Sequence, residues 1–142
     1  MHPSFPISWL ALLLVSFYFL IADGLWISFF VLDTYKSILH TSLSDFQNPL
    51  IPAVAVFVYL LLLGGLVCLA LPLVKKDNWL LDALYYGGLY GLVVYGVYSG
   101  TNFAVVQDWN LWLLLTDCLW GMFICASSLV LYIAIILMLD LG

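Results

Sequence analysis

Residues 50–74 read LIPAVAVFVYLLLLGGLVCLALPLV, a stretch of 25 residues without a single charged side chain. The hydrocarbon core of a bilayer takes about 20 such residues as one α-helix. Working outward, three more apolar runs of that size flank it, so the chain offers runs at about 7–32, 50–74, 80–106 and 111–139. They are continuously apolar rather than alternating with period two, which excludes a membrane β-barrel. The reading is an all-α, four-helix transmembrane bundle, one membrane domain over residues 1–142. The first run is too long for the apolar core of a signal peptide, has no basic segment ahead of it and lacks a clear cleavage site. It is therefore expected to stay as a permanent helix.

Composition agrees. Hydrophobic residues make up 66% of the chain and charged ones 8%, against roughly 45–50% and about 25% in soluble domains. Only 3 Lys and Arg stand against 8 Asp and Glu, so no basic surface exists to neutralise phosphates and nucleic acid is excluded as a partner. Pro49 and Pro52 suit the first turn of the second helix, Pro72 ends it, and Pro6 marks the start of the first. Residues 33–48 form the one sizeable connection, with Tyr35, Lys36, His40, Asp45 and Phe46 suited to the membrane interface. Lys75 and Lys76 share a side with both ends of the chain, so the positive-inside rule puts both termini on the cytoplasmic, matrix or stromal side.

Two acids lie inside the apolar runs. Asp23 and Asp117 each open a short phrase, Asp23-Gly24-Leu25-Trp26 and Asp117-Cys118-Leu119-Trp120, with Asp and Trp on one helical face. An Asp at mid-helix costs about 2.5–3.5 kcal/mol on insertion scales, so both should face protein or water. In antiparallel helices they fall at matching depth. The third run brings Tyr95, Tyr98, Ser99, Thr101 and Asn102 to that level, with Tyr95, Tyr98 and Asn102 on one face. The expected result is an intramembrane polar pocket of Asp23, Trp26, Tyr98, Thr101, Asn102, Asp117 and Trp120. Such a pocket relays a proton, binds a cation, holds a polar head group, or simply locks helices together by hydrogen bonds. Asp82, in the first turn of the third helix, reads instead as a favourable charge at a helix N-terminus, and Asp140 as solvated.

Gly87/Gly91 and Gly96/Gly100 are small-xxx-small pairs that permit close helix contact, and Gly64, Gly65 and Cys68 offer the same on the second helix. Trp9, Trp79, Trp109 and Trp112 read as interfacial belts, although an aromatic lining for a pigment or quinone stays open. Cys68, Cys118 and Cys125 are small apolar side chains in apolar runs. Without nearby His ligands they suggest no metal site. His2 and His40 lie outside the runs, which excludes a haem held between transmembrane histidines and leaves a bound lipid or pigment open. No phosphate loop, Ser/His/Asp set or other catalytic residues are present, so the chain is not read as an enzyme.

The ordered residues Asp23-x-x-Trp26, Tyr35, Asn48-Pro49, Phe57, Tyr59, Tyr98-x-x-Thr101-Asn102-x-Ala104, Trp109 and Asp117-x-x-Trp120-Gly121 resemble the family called domain of unknown function 2177. The resemblance runs from about Phe19 to Ile135. It implies a small four-helix membrane protein and supplies no activity. The family pattern has Asp after its tyrosine and a second Thr after its Ala, where this chain has Ser99 and Val105. The favoured functional reading is an accessory or scaffold subunit docked against other membrane proteins or itself. The alternative is a small proton- or ion-coupled transporter or lipid-handling protein using the Asp/Asn pocket.

Overall fold

The computed structural model describes residues 5–39 and 50–139. The readings placed on His2, His40, Asp45, Phe46, Asn48, Pro49, Asp140 and the Tyr35 side chain lie outside it. Four helical spans are long and apolar enough to cross a membrane: Trp9–Thr34, Leu50–Leu73, Lys76–Val105 and Leu111–Met138. All described elements are helical. In lipid every backbone N–H and C=O needs an internal partner, and a helix supplies one within its own segment.

The first span is α1 (Trp9–Trp26), a π-helical turn at Ile27–Val31 and α2 (Leu32–Leu39). The second is α3 (Leu50–Gly65), a π-helical turn at Leu66–Ala70 and a 3-10 turn at Leu71–Leu73. A 3-10 turn at Lys76–Asn78 leads into α4 (Trp79–Val105), so the third span begins a few residues earlier than its apolar run. The fourth is α5 (Leu111–Met138). Local chemistry sets the ends. Ser8 caps α1 by accepting from the Ala11 N–H, and Asn110 Oδ1 caps α5 by accepting from Leu113 N–H at 2.9 Å. Pro52 lies in the first turn of α3 and Pro72 in the 3-10 turn that ends its span. Asp82, in the first turn of α4, accepts from the Lys75 N–H at 2.9 Å and ties the short connection to the helix it enters.

α4 and α5 form the tightest pair because glycines remove the side chains between them. A Cβ at Gly87 would stand 2.8 Å from Ala126 Cα, and one at Gly91 would collide with the Gly121 carbonyl group. Helix association in lipid relies on such close backbone packing. The other pair behaves differently: a Cβ at Gly96 would meet Cys118 Sγ at ordinary contact distance, and Cβ atoms at Gly100 and Gly64 would meet open space. Across α1 and α5, Ser8 N–H donates to Tyr132 Oη at 2.9 Å, Tyr132 Oη–H to Pro6 O at 3.1 Å, and Tyr18 Oη pairs with Ser127 Oγ at 2.9 Å. These pairings make α1 and α5 antiparallel.

The main core, with Phe19, Leu66, Leu71, Ile124, Leu129, Tyr132 and Ile136, fills the half of the bundle toward the start of α1. A small second cluster of Val31, Trp109 and Leu113 closes the opposite end. Outside, Leu13, Phe17, Phe29 and Leu81 present bare apolar faces to lipid. Trp9 and Trp112, 83% and 72% exposed, lie where belt tryptophans belong, but Trp109 is 7% exposed and is not one. The cause is local. Asp108 takes the left-handed conformation (φ 71°) and Trp109 N–H closes a turn on Val106 O at 3.2 Å, which swings the indole inward.

Candidate functional site

Between the two apolar clusters, Asp23 of α1 gathers hydrogen bonds from every other span. Tyr59 of α3 donates to Oδ2 at 2.8 Å, while Tyr95 of α4 and Trp120 Nε1 of α5 donate to Oδ1 at 3.2 and 2.8 Å. Asp23 is 7% exposed. Phe19, one turn earlier on α1, meets Tyr59 edge-on with centroids 6.0 Å apart, which sets the angle at which the phenol reaches Asp23.

The repeated Asp-x-x-Trp phrase acquires a geometry. Trp26 and Trp120 stack face to face, centroids 4.7 Å apart and planes 3° from parallel. Phe30 covers the other side of Trp26 at 4.8 Å. The repeats are not equivalent in chemistry, because Trp120 serves Asp23 while Asp117 keeps an oxygen without a donor. Ser99, fully buried, accepts from Trp109 Nε1–H at 3.2 Å. Asp117 is 4% exposed, and its Oδ2 has no hydrogen-bond partner among the described residues.

Both acids line one cavity of about 370 Å³ with Trp26, Tyr59, Tyr95 and Tyr98. The rest of its wall is apolar, including Val31, Ala55, Val58, Leu62 and Val94. Ala55 and Val58 belong to a stretch of α3, residues 52–58, in which every side chain is exposed. The cavity is thus a cleft on the lipid side of the bundle, open between α1, α3 and α4 and backed by α5 at Asp117. At helical rise Asp23 lies about 16 Å before Thr34, and Asp117 about 9 Å after Leu111.

Of the residues expected to meet here, Asp23, Trp26, Tyr98 and Asp117 share the cavity wall, and Trp120 hydrogen-bonds Asp23. Tyr98 is half-exposed and meets Trp109 edge-on at 6.2 Å. Thr101 and Asn102 are not on the wall: Thr101 is exposed and Asn102 half-buried. The glycine crossing decides this. With Gly91 pressed on Gly121, the face of α4 turned to the acids carries Gly91, Tyr95 and Ser99 at i, i+4, i+8, one step round from Tyr98 and Asn102. Tyr59 and the Trp109–Ser99 support lay outside the expected pocket. A tyrosine in the middle of an otherwise apolar α3 was the available signal for the first, and nothing local announced the inward turn of Trp109.

No curated protein and no solved structure matches the chain. The profile of a family described as predicted membrane protein (DUF2177) matches residues 8–134. With four apolar spans, and with that match running from the cap of α1 into the last turns of α5, this multi-pass integral membrane protein belongs to the DUF2177 family.

Proposed function

We propose that the protein takes a small membrane-soluble ligand into the cleft between α1, α3 and α4, with Asp117 receiving the polar end. The observation that carries this is Asp117, which lines the cavity and whose buried Oδ2 has no donor among the described residues. Leaving such a group unpaired costs about 1–3 kcal/mol, which a donor-bearing ligand recovers on binding. The cavity volume of about 370 Å³ falls within the roughly 300–1,000 Å³ of small-molecule sites. Its apolar wall suits a hydrocarbon part, and its open side at α3 faces the phase that would deliver one. Among the sequence readings this is nearest to the lipid-handling alternative.

The test is ligand retention. Wild type and Asp117→Leu, purified in mild detergent, are extracted and the extracts quantified by mass spectrometry. An amphiphile near one per chain in wild type, and at least tenfold less in Asp117→Leu at unchanged helicity, is the expected result. Equal extracts from both proteins refute it.

A second reading, the accessory or scaffold subunit, draws support from a separate observation. Residues 52–58 of α3 are exposed on all sides, and Val54, Val56 and Phe57 offer an apolar face for a neighbouring membrane helix. Cross-linking in native membranes from position 56 tests it; cross-links to lipid alone refute it. We also propose one membrane domain with its α3–α4 connection on the cytoplasmic, matrix or stromal side, since Lys75 and Lys76 lie there, whereas Lys36 beyond the first span has Asp33 at 3.9 Å.

A further inference from the structure

We infer that the polar end of the ligand is an ammonium group, so that the cleft is a site for an amine-bearing molecule; this rests on the ligand reading above. The argument starts from how the two acids are held. Asp23 has both oxygens taken by three neutral donors from three helices. Asp117, 4% exposed, leaves Oδ2 without a donor among the described residues. One acid is therefore part of the framework and the other has capacity left over.

Charge then selects among donors. The cleft wall holds two acidic side chains and no Lys, Arg or His. The lysines of the described chain, Lys36, Lys75 and Lys76, lie at the ends of spans. An anionic head group would meet two acids without a compensating cation, and in a low-dielectric site that repulsion is strong. A neutral hydroxyl would satisfy Oδ2 and leave the acidic character of the wall unbalanced. An ammonium group supplies the donor and the opposite charge together. Tyr59, Tyr95 and Tyr98 line the same cleft, and aromatic rings attract cations.

A bare metal ion fits less well. Calcium takes 6–8 oxygen ligands and magnesium an octahedron of about six. Here the Asp23 oxygens are already engaged, and no group of three or more His, Cys, Asp or Glu that could hold a metal is found among the described residues. The ammonium needs one carboxylate oxygen without a donor and an apolar surround, and Asp117 Oδ2 with the cleft wall supplies both.

The experiment uses the full chain in neutral maltoside micelles and counts bound probe by native mass spectrometry. The probes share a twelve-carbon tail: dodecylamine, 1-dodecanol and dodecyl phosphate. Dodecylamine should be retained at least tenfold better than either of the others. Asp117→Asn, which keeps an acceptor but removes the acid, should lower dodecylamine retention at least tenfold and leave dodecanol unchanged. Competition by butylamine separates the sources of the amine: displacement of dodecylamine indicates a water-borne amine, and no displacement a membrane-borne one, the ammonium being supported in both. Dodecanol retained as well as dodecylamine overturns the ammonium and leaves the ligand reading standing. Retention of none of the three above a control membrane protein overturns both. The wild-type probe series decides the matter even if Asp117→Asn does not fold.

Discussion

Replacing Asp23 by Leu removes the acceptor shared by Tyr59, Tyr95 and Trp120, and so strands donors on three separate helices. Side-chain hydrogen bonds between membrane helices measure about 0.6 kcal/mol on average and about 1.7 at most. With three bonds converging on one carboxyl group, the expected loss is roughly 2–5 kcal/mol by that scale. Asp23→Asn should behave differently. Its Oδ1 still accepts from Tyr95 and Trp120, and its Nδ2 meets the Tyr59 hydroxyl, which turns to accept. A loss of under about 1 kcal/mol follows, because Tyr can act as donor or acceptor while the indole N–H can only donate. The assay is reversible unfolding in mixed micelles, followed by the summed emission of the six tryptophans, to which Trp26 and Trp120 contribute through a stacking lost on unfolding. A double-mutant cycle with Tyr59→Phe then isolates one bond; coupling of about 0.5 kcal/mol or more is expected for groups in contact. The reasoning is refuted if Asp23→Leu unfolds at the wild-type midpoint, or if Asn proves as damaging as Leu.

Gly91→Ala pushes a methyl group into the Gly121 carbonyl and should cost about 1–3 kcal/mol by overpacking, whereas Gly100→Ala meets open space and should be neutral or slightly stabilising; the same unfolding assay compares them. Asp108→Val places a β-branched residue at φ 71° and should cost about 1–2 kcal/mol, the penalty of left-handed backbone, while Asp108→Gly should not; the Trp109 environment, read by near-ultraviolet circular dichroism, should shift only with Val. Single cysteines at Asn78 and Gln107, in a background without Cys68, Cys118 and Cys125, should be labelled from opposite membrane faces, with Asn78 on the cytoplasmic, matrix or stromal side. Labelling of both from one face sinks the topology.

The four apolar spans were legible in the sequence, because the bilayer imposes a length and an apolarity that each segment meets by itself. The two intramembrane acids were legible for the same reason: a residue costly to insert stands out against 66% hydrophobic neighbours. What the sequence could not decide was the rotation of each helix about its axis. Tyr95, Tyr98 and Asn102 satisfy helical spacing as well as Gly91, Tyr95 and Ser99 do, and both sets lie on α4. Contact between Gly91 and Gly121 picks the second set, and that contact exists only when α4 and α5 are together. Trp109 shows the same limit at a turn, where one left-handed residue at Asp108 moves an indole from the expected interface to the support of Ser99. Periodicity names the face that can be buried; the partner helix decides which side chains on it meet, since packing in lipid follows shape rather than hydrophobicity.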